Sequence, residues 1–159
     1  MGRGSIGYIL VYFSSASFVL FIDLLTKKIA EATLKEQDLT LLPFLHLVLV
    51  YNKGVAFGLF ADAPDFLRLP LLLLTPPLAV LITLFYVIKL KRVYPSLLLG
   101  AIAGGALGNF YDRLFLGQVR DFIYLSYGGF SWPAFNLADA SISIAVVGLL
   151  IREFFSKER

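Results

Sequence analysis

Leu67 to Leu90 reads LRLPLLLLTPPLAVLITLFYVIKL, with charge only at Arg68 and Lys89, near its two ends. A helix crossing the hydrocarbon of a bilayer needs about 20 mainly apolar residues, and this run supplies them. Working outward, three further stretches meet the same requirement: Tyr8 to Ala30, Pro95 to Phe115, and Phe135 to Phe155. The expectation is an all-α membrane protein, one integral-membrane domain over residues 1–159, with four transmembrane helices at about 8–30, 67–90, 95–115 and 135–155. Composition agrees: of 159 residues, 58% are hydrophobic and 16% charged, where a soluble domain carries about 25% charged residues. Mean hydropathy is +0.81. Pro70, Pro76 and Pro77 predict a kink in the second span, which neighbouring helices can tolerate in lipid. Gly100, Gly104 and Gly108 recur every fourth residue in the third, beside Gly105, a small-residue stripe that lets backbones approach closely.

Several functions are excluded early. The net charge of +3 is small and dispersed, with no run of Lys or Arg, so no nucleic-acid surface is expected. The chain has no cysteine, hence no disulfide, thiol nucleophile or thiolate metal site. His46 is the single histidine, which rules out sites needing two imidazoles, so no metal or cofactor is expected.

Loop charge sets the expected orientation. With the N-terminus cytoplasmic, the inside basic residues are Arg3, Lys89, Lys91, Arg92, Arg152, Lys157 and Arg159, and the outside ones Lys27, Lys28, Lys35, Lys53, Arg68, Arg113 and Arg120. The two sets are equal in number, but the inside stretches are much shorter and so denser in charge. Nearly all acidic residues then fall outside. Both termini are therefore expected to be cytoplasmic. The first span could alternatively be a cleaved signal peptide, but Arg3 makes a thin charged region and Ser14-Ser15-Ala16-Ser17 interrupts the apolar core instead of following it.

Two outer loops remain. In the first, Glu31 to Phe66, the run Leu41 to Tyr51 is too short to span and reads as a strand, Asn52-Lys53-Gly54 as a turn, and Val55 to Phe60 as a returning strand. A small extracytoplasmic β-sheet between helices 1 and 2 is expected. The second loop, Leu116 to Pro133, carries Tyr124, Tyr127, Phe130 and Trp132, aromatics that suit the membrane interface.

The polar residues near the outer face define the candidate chemistry. Asp139 lies one turn inside the fourth span and Asp121 in the loop before it. A carboxylate at membrane depth costs roughly 2.5–3.5 kcal/mol on insertion scales and reads as functional by default. Two such groups brought together point to a shared proton, the chemistry of an aspartyl protease. Asn109, Asp112 and Arg113 share a helical face, as do Asn136 and Asp139, and Asp23 precedes Lys27 by four. Each also has a structural reading. Asp23 with Lys27 can lock the first helix, Asp112 can pair with Arg113 or Lys27 as scaffold, and Asn52 and Gly54 can be turn residues only. His46 reads as a strand residue facing water. Spacing alone leaves Asp121 and Asp139 open between a catalytic pair and structural acids. A transporter would string its charges across the bilayer, unlike this outward cluster, whereas a non-catalytic scaffold would need the acids only for packing.

Five motifs make the sequence recognisable: Asp23-Leu24-Leu25-Thr26-Lys27, Asn52-Lys53-Gly54-Val55-Ala56-Phe57, Gly104 through Arg113 (GGALGNFYDR), Val119-Arg120-Asp121-Phe122, and Phe135-Asn136-Leu137-Ala138-Asp139. In this order and spacing the chain resembles the lipoprotein signal peptidases (signal peptidase II). The Gly-x-Gly-Asp signature of other intramembrane aspartyl proteases is absent. The resemblance implies a catalytic dyad at Asp121 and Asp139, with substrate-binding or supporting roles for Asp23, Lys27, Asn52, Gly54, Asn109, Asp112, Arg113 and Asn136. It implies an aspartyl endopeptidase of the bacterial cytoplasmic (inner) membrane, a four-helix bundle with a small extracytoplasmic sheet. Its implied partners are diacylglyceryl-cysteine prolipoprotein signal peptides and membrane lipids, and the enzyme is expected to be a monomer.

Overall fold

The computed structural model describes residues 6–55 and 58–157. Arg3 and Arg159 of the orientation argument, and Ala56 and Phe57 of the second motif, lie outside them. Among the described residues, four long helices and four strands follow in the order α1 (Gly7–Thr33), β1 (Leu39–Leu42), β2 (Leu45–Asn52), α2 (Asp65–Leu90), α3 (Val93–Leu116), β3 (Val119–Tyr127), β4 (Phe130–Phe135) and α4 (Leu137–Lys157).

α1, α2 and α3 are each long and apolar enough to cross a membrane. α4 has 21 residues and is bracketed by charge, with Asp139 in its first turn and Arg152, Glu153 and Lys157 towards its end. α2 runs unbroken through Pro70, Pro76 and Pro77. Its outward face is largely apolar, with Leu74, Leu78, Leu81 and Phe85 exposed, as are Leu10, Phe18 and Phe21 of α1. Such faces suit lipid, where association rests on close packing and hydrogen bonds, not on hiding apolar surface.

α3 is the centre of the bundle and packs on all three other helices. Its buried stripe includes Gly100, Ala103, Gly104, Gly108, Asn109 and Asp112. A Cβ on Gly104 would run into the Ala16 carbonyl of α1, and one on Gly108 into the Asp23 carboxylate. The glycine stripe thus brings α1 into backbone contact and opens the space that Asp23 fills. Pro95 is tolerated because the first-turn N–H groups of a helix are free anyway. Farther from the sheet, Tyr12, Val87, Leu99 and Ala103 form an apolar cluster, and the Tyr12 hydroxyl lies 2.9 Å from the Thr83 hydroxyl.

The strands form one antiparallel sheet in the order β1-β2-β3-β4. This corrects the expected sheet between helices 1 and 2 alone: the segment between α1 and α2 and the segment between α3 and α4 each contribute a hairpin, and β2 pairs with β3 to join them. The stretch expected as one strand, Leu41 to Tyr51, is broken at Pro43-Phe44, because proline cannot donate to a ladder. Of the expected returning strand at 55–60, the described residues 55 and 58–60 are not in a strand, and Gly58 (75°) and Phe60 (62°) have positive φ. β3 and β4 meet at Gly128-Gly129, both at positive φ, a two-residue hairpin turn that glycine permits without strain. Ala30, Leu34 and Phe122 bury a second cluster beneath the sheet. Phe135 belongs to β4, so α4 begins two residues later than the apolar run suggested.

Candidate active site

Asn136 and Asp139 open α4 with a reciprocal cap. The Asn136 Oδ1 accepts the Asp139 backbone N–H at 2.9 Å, and the Asn136 backbone N–H donates to Asp139 Oδ2 at 3.3 Å. This is a capping box built from Asn and Asp. A third donor at the helix start, the Ala138 N–H, goes to Asp23 Oδ1 at 2.9 Å. The capping geometry places the Asp139 carboxylate at the positive end of the helix dipole.

The same Asn136 reaches the second aspartate. Its Nδ2 donates to Asp121 Oδ1 at 2.8 Å, to Asn109 Oδ1 at 3.1 Å and to the Arg120 carbonyl at 3.3 Å. Asn109 Nδ2 donates to Asp139 Oδ1 at 3.0 Å. Asn109 Oδ1 also accepts the Lys27 ammonium at 2.9 Å, and Lys27 is paired with Asp23 at 2.6 Å. Asp23 and Lys27 are fully buried, a pair that survives only because both are also hydrogen-bonded. One network therefore runs Asp23, Lys27, Asn109, Asp139, Asn136, Asp121. All six came from four separate sequence motifs.

Burial, then the charge of Asp139, push the Asp121 carboxyl from the usual carboxylate range up to about 7, against the opposing pull of Asn52, Lys27 and Asn136. Asp121 opens onto a cavity of about 350 Å³ that also has Asn52, Lys53 and Asp62 in its wall. Asp139 faces a different, almost wholly apolar groove of about 200 Å³, bounded by Trp132, Phe135, Ser143 and Ile144. β4 contributes Pro133 and Ala134 to the first and Trp132 and Phe135 to the second.

The remaining expected residues surround this network. Asn52 Nδ2 donates to the Val55 carbonyl at 2.6 Å and its Oδ1 accepts the Gly54 N–H at 2.7 Å. Gly54 has no room for a side chain, since a Cβ would strike the Leu59 and Ala61 backbone. Arg113 Nη2 donates to the Gly54 carbonyl at 3.3 Å, while its Nε is buried without a hydrogen-bond partner among the described residues. Arg113 is thus turned to the 52–55 turn, and the partner of Asp112 is Arg120, with Lys27 3.8 Å away. Arg120 and Glu31 are the residues that sequence reasoning missed. Their link to Asp112 crosses elements, and only the strand alternation of Arg120 against Asp121 hinted at it. His46 bonds Thr40 and Ser126 across the sheet, apart from this network.

Comparison with known proteins bears on the whole chain. The profile of the signal peptidase (SPase) II family matches residues 15–155. A protein of Aquifex aeolicus (strain VF5) named lipoprotein signal peptidase is 52% identical over 147 residues, covering 92% of this chain and 87% of that protein. One of the same name from Sulfurihydrogenibium sp. (strain YO3AOP1) is 43% identical over 152 residues, covering 92% and 93%. A solved structure described as a bacterial membrane enzyme, determined by the in meso method at 2.3 Å, superposes with a TM-score of 0.78 at 28% identity, over 94% of this chain and 88% of that one. With family profile, relatives and fold agreeing over nearly all of its length, the chain belongs to the signal peptidase II family.

Proposed function

We propose that this peptidase is an aspartyl endopeptidase that removes the signal peptide from diacylglyceryl-cysteine prolipoproteins, with Asp121 and Asp139 as the catalytic pair. The observation that carries the reading is the single Asn136 side chain and backbone bonding both carboxyl groups in a buried network. Two carboxylates sharing one site cannot both ionise near neutral pH, so one keeps a proton. The charged member takes a proton from a water, whose oxygen attacks the scissile carbonyl. The protonated member donates to that carbonyl oxygen, and a proton then passes to the leaving amine as the C–N bond breaks. The pair titrates as a unit. The neutral amides of Asn109 and Asn136 hold the carboxyl groups in place without pinning a full charge beside either.

The turn of Asn52 and Gly54, held by Arg113, forms one wall of the cavity and is suited to hydrogen-bond an extended substrate backbone. The acyl chains of the substrate cysteine lie in lipid, and their partitioning supplies part of the affinity. In this reading the chain is one domain and a monomer. α4 is the fourth span, both termini are cytoplasmic, and the sheet and dyad lie at the extracytoplasmic face of the bacterial inner membrane.

The test is a gel-shift assay of purified protein in lipid or detergent, given a prolipoprotein with the diacylglyceryl cysteine and the same precursor without it. Cleavage of the lipidated form alone, abolished in Asp139→Asn and in Asp121→Asn, is expected. Cleavage retained in either variant sinks the dyad, and no cleavage by folded wild-type protein sinks the substrate assignment.

A further inference from the structure

Arg120 stands immediately before Asp121 and is 94% buried by its 6% exposure, yet nothing in the chemistry above requires a guanidinium there. Its bonds are unusually complete. The Arg120 backbone N–H and Nε both donate to Asp112 Oδ2 at 3.0 Å, and Nη2 donates to Asp112 Oδ1 at 2.8 Å. Nη1 donates to Glu31 Oε2 at 3.2 Å, and Glu31 Oε1 accepts the hydroxyl of Tyr51, the cross-strand partner of Arg120. The Arg120 carbonyl accepts the Asn136 Nδ2 that also bonds Asp121. The peptide unit leading into Asp121 is therefore tied to α3 through Asp112, to α1 through Glu31 and to the start of α4 through Asn136.

Charge adds a second consequence. Asp112 is fully buried and lies 3.8 Å from the Lys27 ammonium, so an unpaired Asp112 would compete for that cation. Its bidentate pairing with Arg120 leaves Lys27 to Asp23 and Asn109. Lys27 and Asn136 together occupy Asn109 Oδ1, which turns the Asn109 Nδ2 towards Asp139.

We propose that Arg120 is a positioning residue for the dyad, aiming Asp121 through its ties to Asp112 and Glu31 and aiming Asp139 by keeping Lys27 on Asn109. This rests on Asp121 and Asp139 being the catalytic pair. It predicts a loss in the chemical step and not in substrate binding, because Arg120 lines neither the cavity onto which Asp121 opens nor the groove beside Asp139.

The experiment compares wild type, Asp139→Asn, Arg120→Leu and Arg120→Lys with the lipidated precursor, each with its melting temperature in detergent. Misplacing a catalytic group slightly costs orders of magnitude, so Arg120→Leu should lose about tenfold or more in kcat while KM stays within about twofold. Lysine keeps the charge but not the fork, so Arg120→Lys should recover part of that loss at unchanged KM. Wild-type kcat in folded Arg120→Leu overturns the proposal, as does a loss that simply tracks the melted fraction. If Arg120→Leu does not fold, Arg120→Lys decides: reduced kcat with wild-type KM and melting temperature supports positioning, and wild-type kcat overturns it. Active wild type beside inactive Asp139→Asn keeps the dyad reading standing when the Arg120 result fails, whereas an active Asp139→Asn removes the dyad itself.

Discussion

Because the Asp121 carboxyl is raised to about 7 by burial and by Asp139, the proposed pair should hold one proton up to neutral pH. Turnover is then expected to fall by about tenfold per pH unit on the alkaline side of that value, read from kcat against pH. The same shift has a stability consequence with a definite sign. A carboxyl whose folded pKa lies above its unfolded value stabilises fully below about pH 4 and loses that contribution as pH rises through about 7. Asn at position 121 never carries the charge and can still offer Oδ1 to Asn136. Inactive Asp121→Asn should therefore gain melting temperature relative to wild type as pH is raised from 4 to 8, and a constant difference over that range would show the burial to be harmless. Asn136→Ala removes the helix cap, a loss of about 1 kcal/mol, together with the bridge to Asp121. Its turnover should fall far more than its melting temperature suggests. At this scale the sequence was informative where spacing is local: Asn136 with Asp139, and Asp23 with Lys27, each lie within one helical turn. Asp112 with Arg120 was not legible, because the chain reverses at Gly117, in the left-handed conformation, and that return sets the contact.

Among the elements, α3 decides how closely the bundle closes, and the glycines at its contacts, Gly104 of α3 itself and Gly148 of α4, differ in what they face. At Gly104 the obstacle to a Cβ is the Ala16 backbone, which cannot rotate aside; at Gly148 it is the Leu98 side chain at 3.0 Å, which can. Gly104→Ala should therefore cost about 1–3 kcal/mol, the usual range for overpacking, and Gly148→Ala less than about 0.5 kcal/mol. Thermal melting in detergent distinguishes them, and equal losses would mean that α1 and α3 are not held at backbone contact. The spacing of four was visible in the sequence, and so was its meaning. A small sheet was expected and is present, but its half from β3 and β4 was not read. Val119 to Tyr127 is rich in aromatic and branched residues, and Gly128-Gly129 is a hairpin signal, but aromatics beside a bilayer also suit an interface loop. What separates the two is pairing with β2, more than 60 residues earlier by the sequence numbering, and such pairing leaves no local mark.

For the molecule as a whole, the helix positions followed from hydropathy within a few residues, because long apolar runs are written along one dimension. Where the ends face is a separate matter of charge. The tight turn between α2 and α3 carries Lys89, Lys91 and Arg92, and the end of α4 carries Arg152 and Lys157, whereas the sheet, Glu31, Asp121 and Asp139 sit at the opposite ends of α1, α3 and α4. At 1.5 Å per residue, the 27 residues of α1 reach about 40 Å, more than the roughly 30 Å of hydrocarbon. Its last turns can therefore emerge with Lys28 and Glu31 at the sheet. If the basic ends face the cytoplasm, the proposed dyad lies near the outer surface, where the proposed substrate would arrive with its acyl chains in the outer leaflet. The chain contains no cysteine, so single cysteines report topology without background. Ser131→Cys, on the exposed edge of β4, should react with a membrane-impermeant thiol reagent added to intact cells. Arg92→Cys and Ser156→Cys, both exposed, should react only after the membrane is opened. Reaction of Ser131→Cys and Ser156→Cys from outside, with Arg92→Cys still protected, would place α4 short of spanning. The reverse pattern would put the dyad on the cytoplasmic side, where a precursor still being translocated could not present its cleavage site.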